Sequence, residues 1–246
     1  MSKKWYKVVY KQIQPIHIGT NSYGVIKETR IFITGITMWG ALTKAYVEGE
    51  KEETYDNNQD TFKNITCFYP MVNGAVLYPR FENGEFYLGN ASEKEFRKDF
   101  TTTYLSTSIN PATLNAQDES LHEIDVILPK DKQNQKELYW VGYIKLDESI
   151  EIPKEIYIGG DSRYGLGLME FKDKIEENYP YDVIKGKYKD NRYPPNKPLL
   201  NFLEFNNQEF EGEVELIAEF DFFKGARPKI KQANFYIKPG SKIKPI

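Results

Sequence analysis

The amino-acid sequence predicts an α+β protein dominated by strands. Three observations lead there: many short runs of alternating or apolar character punctuated by turn residues, one or two convincing helical segments, and a load of 18 Tyr and 15 Phe, residue types that suit pleated, half-buried surfaces. With 246 residues, 40% of them hydrophobic, the chain can bury a full core, as one elaborated domain or as two small ones sharing an interface.

The elements follow in order. Residues 4–18 read as a first strand, with Trp5, Val8, Val9, Ile13 and Ile16 among polar neighbours, and Asn21-Ser22-Tyr23-Gly24 as a turn. Residues 29–33 are extended, and Thr37 is placed to cap a helix over 38–46. Residues 48–60 hold seven charged side chains, six of them acidic, which predicts an exposed loop. Strands are expected at 65–68 and 75–78 around a Pro-Met-Val-Asn-Gly turn, and 85–88 pairs back across Glu82-Asn83-Gly84. Residues 104–109 and 123–128 bracket an insertion, and 138–146 alternate as a strand. Residues 156–158 and 168–171 flank a glycine-rich segment. Residues 176–198 form a Tyr-, Lys- and Pro-rich connection with little periodicity, a boundary or a binding arm. Strands at 213–223 and 233–237 then flank Gly225-Ala226-Arg227-Pro228-Lys229.

The glycine-rich segment, Tyr157-Ile158-Gly159-Gly160-Asp161-Ser162-Arg163-Tyr164-Gly165-Leu166-Gly167, is the most informative stretch. Glycines bring backbone N–H groups against a ligand, Arg163 supplies a planar donor fork and Tyr164 a stacking face, a combination that suits an anionic chain. The competing reading is a tight structural turn.

Charge is distributed unevenly. Residues 1–46 carry seven Lys or Arg against one Glu and residues 221–246 seven against one Asp, +6 at each end, which leaves −15 on the central 174 residues of a chain with net charge −3. Ends that meet in space would form a basic face for nucleic acid on an acidic body; the alternative is solvated terminal lysines. One cysteine, Cys67, excludes an internal disulfide and a multi-cysteine metal site, and His17 and His122 are the only imidazoles, so no metal or cofactor is expected. The opening Met1-Ser2-Lys3-Lys4-Trp5-Tyr6 lacks the apolar core of a signal peptide and no run is long enough to span a bilayer, so a soluble cytoplasmic protein without membrane partners is expected.

Other segments keep company with the glycine-rich one. Pro15-Ile16-His17-Ile18-Gly19 precedes Phe32-Ile33-Thr34-Gly35-Ile36-Thr37-Met38-Trp39-Gly40-Ala41-Leu42. Ile109-Asn110-Pro111-Ala112-Thr113-Leu114-Asn115-Ala116 follows in the middle of the chain. In this order these segments resemble the repeat-associated mysterious protein (RAMP) superfamily, CRISPR-associated RNA-binding proteins that build effector complexes around a guide RNA. The resemblance spans most of the chain. It implies a ferredoxin-like, RNA-recognition-motif-like (RRM-like) core with β-hairpin embellishments over 1–175 and a β-rich C-terminal extension over 176–246 packed on it. It also implies RNA contacts from His17, Gly19, Arg30, Thr37, Lys44, Gly159, Gly160, Ser162, Arg163, Tyr164 and Gly165. For Arg30 and Lys44 a surface salt bridge is the rival reading.

The family offers several roles. Its guide-processing endonucleases use a histidine, for which His17 is the candidate base, but their glycine-rich loop lies close to the C-terminus, whereas 79 residues follow Gly167 here. Its target-slicing backbone subunits carry an Asp between the first strand and first helix; residues 19–42 contain no Asp, and Glu28 is their one carboxylate. Asp161 suits an Asx-turn that shapes the loop. The ending from Ala226-Arg227-Pro228 to Lys238-Pro239-Gly240-Ser241 resembles that of cap subunits of type III complexes. The expectation is therefore a non-catalytic guide-RNA (crRNA) subunit gripping the repeat-derived 5′ handle. Its partners would be backbone subunits, a large polymerase-like subunit and, indirectly, target RNA. Alternatives are a backbone subunit that slices target, a guide-processing endoribonuclease, and a β-rich module that binds sugar rather than RNA.

Overall fold

A computed structural model describes residues 3–49, 58, 60–107, 112, 113, 115, 122–190, 192–221 and 229–244. Most of the acidic run at 48–60, most of the middle motif at 109–116 and the Arg227-Pro228 pair lie outside these residues.

Strand β1 (Lys4–Gln12) is followed by β2 (Gly19–Tyr23), β3 (Ile26–Thr29) and helix α1 (Gly35–Gly49). Then come β4 (Tyr69–Val72), β5 (Ala75–Val76), β6 (Pro79–Glu82), β7 (Glu85–Leu88) and β8 (Ala91–Ser92). Helix α2 (Glu93–Phe100) leads to β9 (Thr101–Ser106), β10 (His122–Ile127), β11 (Leu138–Leu146) and β12 (Glu155–Tyr157). A 3₁₀ turn at Ser162–Tyr164 precedes β13 (Leu168–Glu176). The C-terminal strands are β14 (Val183–Ile184), β15 (Lys187–Tyr188), β16 (Leu203–Glu204), β17 (Phe210–Glu211), β18 (Val214–Asp221), β19 (Lys229–Ile237) and β20 (Lys242–Ile243). Many strands and few helices make the fold α+β, as the sequence predicts.

The central sheet has the order β12-β13-β1-β11-β4-β5, and every adjacent pair is antiparallel. Strands β1 and β4 therefore run the same way, linked through α1, and β11 and β13 run the same way, linked by 147–167. Both faces of β1 carry buried residues, which explains the adjacent apolar pairs Trp5-Tyr6 and Val8-Val9. Tyr6, Val8 and Tyr10 point into the main core with Trp140 and Ile144 of β11 and Met38 and Leu42 of α1. On the other face Trp5 packs edge-on to Tyr179 at 5.3 Å, in a second cluster that the C-terminal segment supplies with Val183, Tyr188, Leu199 and Ile237. Burial satisfies its polar groups: Gln12, 1% exposed, receives the Trp140 indole N–H at 3.0 Å and donates to the Ile127 carbonyl at 2.7 Å.

Several boundaries differ from expectation. The first strand ends at Gln12, and Ile13 and Gln14 both donate to the Leu168 carbonyl, which turns the chain before Pro15. Residues 19–23 pair as β2, so the turn falls one step later, at Gly24-Val25. The α1 cap is Thr34, whose hydroxyl accepts the Thr37 N–H at 3.3 Å; Thr37 sits inside the first turn, its own hydroxyl 2.8 Å from that of Thr34. Pro70 lies within β4, and the turn before β5 contracts to Asn73 and Gly74, both at positive φ. Residues 176–198 contain the β14–β15 hairpin, turned at Lys185-Gly186.

Candidate nucleic-acid interface

The segment after β1 and the glycine-rich turn are built against each other. Gly160 N–H donates to the His17 carbonyl at 3.0 Å, and Gly167 N–H to the Pro15 carbonyl at 2.9 Å. Gly159 has φ +79°, and a Cβ there would lie 2.0 Å from the His17 carbonyl oxygen, so only glycine allows this approach. His17, Gly19, Gly159 and Gly160 are thereby brought together.

His17 is buried, 6% exposed. Its Nδ1 lies 2.7 Å from the Asp125 carbonyl oxygen, which can only accept, so Nδ1 carries the proton. Nε2 points toward Gly19, where an added Cβ would sit 3.4 Å away. The ring braces β10 against the loop.

Beyond this anchor the loop projects outward. Ser162, Arg163, Tyr164 and Gly165 are exposed, Tyr164 at 83%. Among the described residues Arg163 has no ion-pair partner. Asp161 adopts left-handed backbone geometry, φ 57°, and its side chain makes no capping hydrogen bond, so it shapes the loop through its main chain and forms no Asx-turn. Tyr164 N–H donates to the Asp161 carbonyl at 2.9 Å, closing the 3₁₀ turn.

A cleft of about 620 Å³ adjoins Gly19 and lies between β2, the start of α1 and β18. Gly19, Arg30 and Thr37 line it, with Lys185, Lys187 and Lys238, three lysines the sequence reading did not single out. Lys185 and Lys187 flank the β14–β15 turn, where a Lys-Gly-Lys sequence after an apolar pair was the available signal. Strand β18 and the residue before it place three carboxylates on one face, and each holds a cation. Glu215 grips Arg30 with both oxygens, one contact at 2.9 Å; Glu219 meets Lys187 at 2.6 Å; Glu213, just before the strand, meets Lys238 at 2.6 Å. Arg30 also covers the Phe32 ring at 5.2 Å. It therefore takes the salt-bridge alternative in this structure, as does exposed Lys44, 3.8 Å from Glu48 one helical turn on. Lys185 sits 3.5 Å above the Trp39 ring centroid, and burial pushes its amine below the usual lysine range.

Most of the N-terminal positive charge is spent on carboxylates. Lys4, Lys7, Lys11, Arg30 and Lys44, five of the seven cations in residues 1–46, have carboxylate partners. The Pro239-Gly240-Ser241 ending is buried: Gly240 accepts from Phe81 N–H at 3.0 Å, and fully buried Ser241 accepts from Leu199 N–H at 2.8 Å through its carbonyl. It ties the C-terminus to β6. Among the described residues no group of three His, Cys, Asp or Glu is placed to hold a metal, and no helix is long and apolar enough to cross a membrane.

No protein-family model and no curated protein matches the chain. Solved structures do. One is a chain of the cryo-EM structure of the type III-B Cmr-beta bound to cognate target RNA and AMPPnP, state 1, with TM-score 0.65 and 17% identity over 96% of this chain and 85% of that one. Another, from type III-B Cmr-beta bound to cognate target RNA, gives TM-score 0.62 and 14% identity over 96% and 86%. The likeness runs nearly end to end and establishes a shared fold.

Proposed function

We propose that this chain is a non-catalytic guide-RNA-binding subunit of a type III CRISPR effector, gripping the repeat-derived 5′ handle. The observation that carries the reading is the seating of the glycine-rich loop on His17, which presents Arg163, without an ion-pair partner among the described residues, and an 83% exposed Tyr164 on a rigid base. Phosphate and base are the natural ligands of that pair. The likeness to chains of Cmr-beta structures containing target RNA supports the assembly context. The order β13-β1-β11-β4 supports reading residues 1–175 as a ferredoxin-like, RRM-like core in which 147–167 stands where a second helix would be, with 176–246 as an extension packed on it. The absence of cutting is supported by the burial of His17, the one candidate base, at 6% exposure. The partners are then guide RNA, backbone subunits and a large polymerase-like subunit in the same compartment.

The test is binding of a 5′-handle guide RNA to wild-type, Arg163→Ala and Tyr164→Ala protein, with Mg²⁺ present and the RNA checked for integrity. Arg163→Ala should cost about 1.5–3 kcal/mol irrespective of base sequence, and Tyr164→Ala about 1–3 kcal/mol with less change in salt dependence. Unchanged affinity in both folded variants removes the loop as an RNA site. Specific cleavage abolished by His17→Ala overturns the non-catalytic assignment.

A further inference from the structure

The cations lining the cleft beside Gly19 are mostly consumed by carboxylates, but a second cleft, about 640 Å³, is different. It opens where the start of β1 meets the segment after β13. Lys3, Lys4, Lys145 and Arg192 line it with the rings of Trp5, Tyr179 and Tyr181. Lys4 is held by Glu176 at 2.9 Å. Among the described residues Lys3, Lys145 and Arg192 have no carboxylate within ion-pair distance; Lys145 instead lies 5.9 Å from the Trp5 ring centroid. Asp182 is the other acid in the lining. Counting charges, four cations face two carboxylates.

The floor is aromatic and stiff. Trp5 and Tyr179 are each 7% exposed and interlock at 5.3 Å, and Tyr181 meets Tyr179 at 5.7 Å while remaining partly exposed. A partly open ring on a fixed aromatic base, rimmed by unneutralised cations and the Asn178 amide, is chemistry for a nucleotide unit: a base stacks, phosphates meet the cations, and the amide reaches sugar hydroxyls. A cleft of this volume falls in the usual range for small-ligand sites.

We propose that this second cleft binds single-stranded RNA, adding a contact remote from the glycine-rich loop. The proposal rests on the RNA-binding reading above and is separable from it. The probe is a 5′-phosphorylated single-stranded RNA carrying 4-thiouridine, crosslinked to the full chain and mapped by mass spectrometry, with AMP as the free-nucleotide arm. Adducts are expected at Trp5 or Tyr181. The exposed Lys3→Ala/Arg192→Ala double variant should keep its melting temperature, raise the Kd several-fold, and flatten the slope of log K against log salt by about 1.4, at roughly 0.7 per single-strand phosphate contact. If wild-type protein binds RNA, Arg163→Ala weakens it, and the double variant neither shifts Kd or slope nor loses adducts, the second cleft falls and the loop stands. Should AMP alone saturate the cleft as tightly as the oligomer, the occupant is a free nucleotide and the RNA proposal is overturned. If no RNA binds to wild-type protein at all, both readings fail together.

Discussion

Replacing Gly159 by Ala separates steric anchoring of the glycine-rich loop from its backbone geometry, because Gly165 provides a matched control. The two glycines share nearly the same φ, +79° and +78°, so alanine at either incurs a left-handed backbone cost of about 1–2 kcal/mol. Their surroundings differ. At Gly165 an added Cβ meets nothing within 4 Å, whereas at Gly159 it lands 2.0 Å from the His17 carbonyl oxygen. No van der Waals contact survives at that distance, so the loop must lift and surrender the 3.0 Å bond from Gly160 N–H to the same carbonyl, about 0.5–1.5 kcal/mol more. Gly159→Ala should therefore cost about 1.5–3.5 kcal/mol in all, and Gly165→Ala only the backbone part, about 1–2 kcal/mol. With about 2–4 °C lost per kcal/mol for a chain of this size, calorimetry should separate the two melting temperatures by several degrees. Equal melting temperatures would refute the claim that the His17 carbonyl fixes the loop.

Other consequences can be measured alongside. Glu215→Gln should free Arg30, lower stability by about 1–2 kcal/mol in denaturant titrations, and steepen the salt dependence of RNA binding, since one more cation can meet phosphate. Lys187 holds the Glu219 carboxyl below the ordinary range, so the pair's contribution is fully present above the unfolded pKa, near 4.3, and is lost as pH falls through the lower folded value. The stability gap between wild type and Glu219→Gln should accordingly narrow between about pH 6 and about pH 3, and a gap independent of pH would dissociate Glu219 from acid unfolding. Burial pushes the thiol of Cys67, the one cysteine, up to about 12. A thiol reagent at pH 8 should react with it only as the chain unfolds, and prompt labelling of native protein would show that the core around Gly186 opens locally.

Much of the fold could be read from local pattern. Asn83-Gly84 between apolar pairs predicts the β6–β7 hairpin because both turn residues need positive φ, and both have it. The alternation of 138–146 predicts β11 to the residue. Helix α2 was missed although its signal is in the chain: Ser92 and Glu95 form a capping box, with Ser92 N–H donating to Glu95 at 2.8 Å. Aromatic Phe96 and Phe100, stacked at 4.9 Å, resemble strand residues when composition is weighed before spacing. The candidate site divides similarly. The glycine character of the loop at 159–167 is legible, but its seating on His17, 142 residues away from Gly159, is not. The pairing of Arg30 with Glu215 joins residues 185 positions apart, and no periodicity announces it.

That pairing changes how the charge of the chain must be counted. A +6 segment at each end suggests a basic face, yet Glu213, just before β18, and Glu215 and Glu219 within it fall on one side of the extended chain, and each pairs with a different cation. Three of the four cations lining the cleft beside Gly19, Arg30, Lys187 and Lys238, are thus already neutralised, and a polyanion meeting any of them must displace a hydrogen-bonded carboxylate, an exchange with little net electrostatic gain. Cations without acidic partners among the described residues, Arg163 on the loop and Lys3, Lys145 and Arg192 around Trp5, face no such competition. Attraction of RNA should therefore follow the unpaired cations rather than the lysine count, and salt dependence should be more sensitive to Arg163 and Arg192 than to Lys187 or Lys238.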